Sequence, residues 1–79
     1  MNQENKYFVK MKEYRVSVQD IKSIMDQVGV DMPVRTLHWR IQNNFELELQ
    51  HNELIKQTIE ELVIAKEEVV KKLKVWGTV

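Results

Sequence analysis

The sequence predicts an all-α fold in which short helices precede one long C-terminal helix. Only two glycines and one proline interrupt the 79 residues, too few for the many turns of an all-β fold. Apolar residues recur at helical spacing in the first half. Residues 45 to 76 contain neither Gly nor Pro, which predicts a single long helix from about Phe45 to Trp76. A chain of this length forms one compact domain, which excludes folds that need a large closed core.

The first candidate element, residues 6–15, allows two readings. Tyr7, Met11 and Tyr14 share the spacing of one helix face. Tyr7, Val9 and Met11 also alternate with lysines, as in a short strand. A helix is the favoured interpretation, and a strand stays open.

The second element has the clearest boundaries. Ser17 is suited to cap a helix, and Asp20, three residues later, can bond back to the amide of the capping residue. Gly29 stands where a residue of positive φ ends a helix. These signals predict a helix from about residue 18 to residue 28.

The third element follows a short turn. Pro33 suits the first turn of a helix, with Asp31 or Met32 as its cap. The inner face would carry Val34, Leu37, His38 and Ile41. The outer face would carry Arg35, Thr36, Trp39, Arg40 and Asn43. Because an indole left in water forfeits several kcal/mol of burial energy, a Trp between two Arg residues is expected to contact a partner.

Two short helices joined through a glycine turn, the second with a basic and aromatic face, match a helix-turn-helix unit. The run Val28-Gly29-Val30-Asp31, followed by Arg35-Thr36-Leu37-His38-Trp39, resembles the turn and recognition helix of small phage and plasmid regulators, excisionases and MerR-type proteins. The resemblance covers about residues 16–43. It implies sequence-specific binding to double-stranded DNA.

The residues expected to contact DNA lie on these two helices, in a helix-turn-helix DNA-binding region spanning residues 1–44. Arginine side chains pair with phosphates or guanine edges, and Thr and Asn side chains can bond phosphate or adenine. A lysine on the first helix of the unit can hold the DNA backbone. The predicted set is Lys22, Arg35, Thr36, His38, Trp39, Arg40 and Asn43.

The C-terminal region, residues 45–79, is predicted to dimerise. An apolar row repeats every seven residues, with further apolar positions beside it, and comprises Ile55, Ile59, Leu62, Val69, Leu73 and Trp76. The apolar arc is broader than a strict coiled-coil seam, so the helix should pack on its own domain over part of its length and on a second chain over the rest. A homodimer would place two recognition helices about 34 Å apart, one turn of the DNA helix.

Charge distribution supports this division of roles weakly. Twelve basic side chains balance twelve acidic ones over the whole chain. The first 44 residues have seven basic and five acidic groups, whereas the last 35 have five and seven. The front part is therefore mildly basic and the back part mildly acidic.

No catalytic or cofactor chemistry is predicted. Glu48 and His51 have the Glu-x-x-His spacing of di-metal helical bundles, but such a site needs further inward carboxylates, so a polar end of the packing row is preferred. His38 has no nucleophile beside it in sequence. The chain lacks cysteine and has no Gly-rich phosphate loop. We expect a protein that is not an enzyme and binds neither a metal nor a cofactor.

The expected location is the cytoplasm, because no apolar run approaches the ~20 residues of a membrane span and the first five residues lack signal-peptide character. The predicted function is that of a small dimeric transcriptional regulator of a mobile element. The alternative is a helical protein-binding adaptor, of the antirepressor or inhibitor type, that uses the long helix and the Trp39 surface. A purely structural coiled-coil element is a third reading.

Overall fold

A computed structural model describes residues 5–77 of the chain. It contains four helices and, within these residues, no strand: α1 (Lys6–Glu13), α2 (Val18–Gln27), α3 (Val34–Gln42) and α4 (Asn52–Gly77). The predicted all-α fold with a long C-terminal helix after short ones is confirmed. The ambiguous N-terminal segment is helical.

The first two helices begin at side-chain caps. The Asn5 side chain accepts hydrogen bonds from the amides of Tyr7 (2.8 Å) and Phe8 (3.4 Å). In α2 the predicted capping box is present, because Ser17 Oγ accepts from the Asp20 amide (3.1 Å) and the Asp20 carboxylate accepts from the Ser17 amide (2.8 Å). Both caps satisfy amides that have no partner within the helix.

The three short helices end in the same backbone motif. After each one, a residue of positive φ is followed by a residue whose amide donates back to a carbonyl five positions earlier, which is the Schellman arrangement. The positive-φ residues are Arg15 (56°), Gly29 (87°) and Asn44 (55°). The returning bonds run from Val16 to Met11 (2.8 Å), from Val30 to Met25 (2.8 Å) and from Phe45 to Arg40 (3.0 Å).

The start of α3 differs from the expectation. Pro33 is itself the N-cap residue, and no side chain caps the helix, so neither Asp31 nor Met32 has that role. Pro33 has no amide hydrogen, and its φ of −59° leads the chain into the helical turn that follows. The helix therefore depends on packing more than on its first turn.

The predicted start of the long helix at Phe45 is wrong, since α4 begins only at Asn52. The Schellman turn at Asn44 reverses the chain, and Phe45 also has a positive φ of 55°. Its ring is buried edge-on to Tyr7, with 5.3 Å between the ring centres. His51 (φ 73°) makes a further reversal before α4 starts. Burial of the Phe45 ring thus outweighs the helix propensity of residues 46–51.

One core joins the two halves of the chain. The short helices and their turns contribute Met11, Val16, Ile21, Met25, Met32, Leu37, Ile41 and Phe45, and α4 contributes Ile55, Ile59 and Val63. The first part of α4 packs on α1 and α2, and α3 packs on α2 and α1. The functional boundary predicted at residue 44 therefore does not divide the core.

The second part of α4 extends past the other helices. At this point Lys66 Nζ donates a hydrogen bond to the Arg15 carbonyl (2.7 Å), which links α4 to the turn between α1 and α2. We call residues 67–77 the overhang. At 1.5 Å per residue it is about 16 Å long.

Candidate nucleic-acid interface

The outer face of α3 is set by the burial of its inner face. Leu37 and Ile41 are almost fully buried against the core. With 3.6 residues per turn, this orientation turns Arg35, Trp39 and Gln42 away from the core. All three side chains are exposed. The predicted orientation of α3 is therefore correct for Leu37 and Trp39. It is wrong for His38, which was expected on the inner face and is exposed because it lies towards α1 at the edge of the buried stripe.

This face has an unusual composition. From Met32 to Phe45 the chain contains no Asp or Glu, although charged residues make up 30% of the sequence. The exposed side chains on and beside the face are Arg35, His38, Trp39, Gln42 and Asn43. They offer a guanidinium, an imidazole, an indole and two carboxamides. Helix α3 thus offers several hydrogen-bond donors and no carboxylate of its own, whereas Glu46, just after the helix, lines a hollow together with Trp39 and Asn43.

Helix α1 borders the face on one side. The His38 ring lies edge-on to Phe8, with 5.9 Å between the ring centres. The Lys12 ammonium lies 5.8 Å from the centre of the Phe8 ring. The Phe8 ring thus contacts both the Lys12 ammonium on α1 and His38 on α3, an arrangement that the sequence did not indicate.

Arg40 does not belong to the exposed face, contrary to the prediction. Its Nη1 donates to the Gln50 carbonyl and to Asn52 Oδ1 (3.4 Å), and its Nε is buried without a hydrogen-bond partner in the described structure. Asn52 in turn donates to the Leu47 carbonyl. The guanidinium joins the end of α3 to the start of α4, so it is unavailable to DNA in this conformation.

Lys22 is also engaged within the chain. Its Nζ lies 2.9 Å from the Asp26 carboxylate and 3.5 Å from that of Asp31. The hydrogen bond to Asp26 raises the pKa of Lys22 above its ordinary value. Two carboxylates beside the ammonium counter its attraction for a phosphate, and the predicted role of Lys22 as a DNA backbone contact stays a prediction.

Trp39 lies on the side of α3 that faces the loop before α4. Thr36 is partly buried. Trp39 remains 46% exposed and lines a small hollow of about 170 Å³ together with Phe45, Leu47 and Leu49. The indole is therefore only half-buried by its own chain.

The predicted dimerisation residues fall into two groups. Ile55 and Ile59 are buried in the core of their own chain, so they cannot meet a second chain in this conformation. Leu62 is partly buried against that core. Val69, Leu73 and Trp76 are exposed on the overhang. The division arises because α4 leaves the domain at about Lys66.

The structure was also searched for metal-binding clusters and for helices that could span a membrane. Glu48 and His51 precede α4 and do not share a helix face, so the Glu-x-x-His argument does not apply. Within residues 5–77, no group of three or more potential ligands is placed to hold a metal ion. None of the described helices is both long and apolar enough to cross a membrane.

Comparison with known proteins adds no family assignment. No family model matches the chain, no curated protein matches it, and no solved structure matches it.

Sequence reasoning missed three polar residues. Gln42 lies on the exposed face, and its helical spacing from Arg35 and Trp39 could have identified it. Asn5 and Asn52 are buried. Asn5 caps α1 and also donates to the Ile41 carbonyl, which fixes the start of α1 against the end of α3. Only the capping role of Asn5 carries a sequence signal.

Proposed function

We propose that the chain binds double-stranded DNA through the outer face of α3, as a small regulator of the phage or plasmid kind that the sequence resembles. The observation that carries the proposal is an exposed helix face with several donors and no carboxylate, presented after a turn that packs α3 on α2. Each of the other helices contains at least one carboxylate. Glu13 lies on α1, Asp20 and Asp26 lie on α2, and α4 contains five glutamates.

The chemistry of the face suits the major groove. The groove is about 12 Å wide and admits one α-helix. Arg35 can donate two hydrogen bonds to a guanine, and the Gln42 carboxamide can pair with an adenine edge. Trp39 can contact a thymine methyl group or the sugar backbone. Arg40 and Lys22 have internal partners and are left out of this contact set.

Phosphate contacts would be few. Lys12 and His38 border the face, and Arg35 is the one guanidinium on it within the described residues. Each phosphate neutralised contributes about −0.9 to the slope of log affinity against log salt concentration. A single chain should therefore bind DNA with a shallow salt dependence and depend on base contacts for specificity.

The test begins with selection from a random duplex library, followed by fluorescence anisotropy on the enriched sequence. Arg35→Ala should weaken binding by ~5- to 150-fold, the range for losing a bidentate guanine contact. Lys72→Ala removes the same charge from an exposed site on α4 and is the matched control, with binding changed less than about threefold. Equal losses in the two variants, or no enriched sequence at low salt, would refute the proposal.

A second candidate, the protein-binding adaptor, is favoured by the apolar rim beside Trp39. Leu47 and Leu49 are both exposed next to the indole, an arrangement that fits an apolar side chain of a protein partner. Leu47→Ser distinguishes the candidates, because it should abolish protein capture and leave DNA affinity unchanged.

A further inference from the structure

The overhang carries an apolar stripe that none of residues 5–77 covers. The stripe consists of Val69, Val70, Leu73 and Trp76, of which Leu73 is 60% and Trp76 77% exposed. It continues the line of α4 residues that packs on the core, since Ile55, Ile59, Leu62, Lys66, Val69, Leu73 and Trp76 are spaced alternately four and three residues apart. The same helix face is thus core before Lys66 and open surface after it.

A groove lies beneath the stripe where α4 leaves the domain. Its volume is about 810 Å³, and its walls are the turn between α1 and α2 on one side and α4 on the other. The turn contributes Tyr14 and Arg15, and α4 contributes Leu62, Ala65 and Val69. An apolar groove of this kind is wide enough for side chains of another helix.

The charges of α4 are ordered along its length. Residues 60–68 contain four glutamates and one lysine, whereas residues 69–77 contain three lysines and no carboxylate. Two such helices side by side in the same direction would place like charges together. In opposite directions, each acidic segment would lie beside a basic one.

We propose that the overhang binds a second copy of the chain, with the two α4 helices antiparallel about an axis near Val69. In this arrangement Trp76 of the partner subunit lies level with Leu62, and Leu73 of the partner subunit lies level with Ala65. Both partner side chains then enter the groove next to Tyr14. Each copy thus fills the groove of the other with two apolar side chains. This inference does not depend on DNA binding.

The first experiment measures self-association without DNA, by sedimentation equilibrium over a range of protein concentrations. Leu73→Lys should weaken the dimer at least tenfold, because it places a charge at the centre of the stripe. Val75→Lys is the matched control: Val75 is similarly exposed (67%) but lies about 200° around the helix from Leu73. It should alter the dimer constant less than about twofold.

Circular dichroism verifies that both variants keep the helical fold, which is expected because both sites are exposed. A monomer at all concentrations, or equal effects of the two lysines, would overturn the proposal.

The second experiment tests the antiparallel direction by disulfide formation, which is direct because the chain has no cysteine. Val69→Cys lies near the axis and should cross-link readily in air. Gly77→Cys should not, because the two sites would be about 24 Å apart in the antiparallel pair, whereas a disulfide needs Cα atoms within about 7 Å. Rapid cross-linking through position 77 would show a parallel pair and contradict the proposed arrangement.

Discussion

Replacing Arg40 by alanine separates a structural role from a role in DNA contact. In the structure the Arg40 guanidinium bonds the Gln50 carbonyl and Asn52 Oδ1, which fixes the loop 43–51 between α3 and α4. In Arg40→Ala both acceptors lose their donor, and the loop loses its link to the end of α3. We expect the variant to be less stable than the parent chain.

The magnitude follows from two opposing terms. A hydrogen bond to a charged group contributes about 1.5–3 kcal/mol to stability, and the bond to Asn52 is long at 3.4 Å, so the Gln50 bond dominates. Against this, the buried Nε has no partner, and its removal recovers part of a desolvation cost of about 1–3 kcal/mol. The net loss should be about 1–2 kcal/mol. For a domain of this size, that lowers Tm by roughly 5–15 °C.

The assay is urea unfolding followed by circular dichroism, at constant m-value. Arg35→Ala is the control on the same helix, because its side chain is exposed and its loss should change stability by less than about 0.5 kcal/mol. The two variants should therefore show different defects. Arg35→Ala should lower DNA affinity and leave the free energy of unfolding unchanged, whereas Arg40→Ala should lower the free energy of unfolding. Unchanged stability in Arg40→Ala together with lost DNA affinity would refute the structural assignment.

Three further variants test the fold. The hydrogen bond from the Ser17 amide holds the pKa of Asp20 below its ordinary value of 3.8. Asp20→Ala should therefore cost about 1 kcal/mol at pH 7, and this cost should decrease progressively as the pH falls below 3.8, which urea midpoints at neutral and acidic pH would measure. Gly29→Ala should lower the free energy of unfolding by about 1 kcal/mol in the same assay, because its φ of 87° disfavours a side chain even though the space around it is open. Ile55→Ala should cost about 2–5 kcal/mol at every protein concentration, since Ile55 is a core residue, and a cost that disappears on dilution would assign it to an interface instead.

The ends of the helices were predictable from sequence where a residue type strongly prefers a capping position. Ser17 with Asp20 identified the start of α2, and Gly29 identified its end, because Gly adopts positive φ at no steric cost. Arg15 and Asn44 end helices in the same conformation but gave no clear signal. Asn adopts this conformation only several times more often than average, and Arg rarely does. At these two sites the packing of the following residue, Val16 or Phe45, determines the turn.

The sequence predicted the orientation of several side chains of α3. It did not predict the contacts that α3 makes with the loop before α4. Helical spacing was sufficient to place Arg35 and Trp39 outside and Leu37 inside. The loop from residue 43 to residue 51 removes Arg40 from the exposed set, and its path depends on burial of Phe45 far along the chain from Tyr7. Local propensity favoured a helix through this loop. A sequence pattern alone therefore overestimates the number of arginines that a helix presents to solvent.

The long apolar row of α4 illustrates a different limit. Ile55, Ile59, Val69 and Leu73 belong to one continuous pattern, and nothing in their spacing distinguishes core from exposed surface. The distinction depends on where the α1–α2 turn stops supporting the helix, at the bond between Lys66 and the Arg15 carbonyl. Since α1 has only eight residues, it cannot cover a helix of 26 residues. The mismatch between these two lengths is what leaves an apolar stripe in water, and an exposed stripe of this size on so small a domain favours association with another chain.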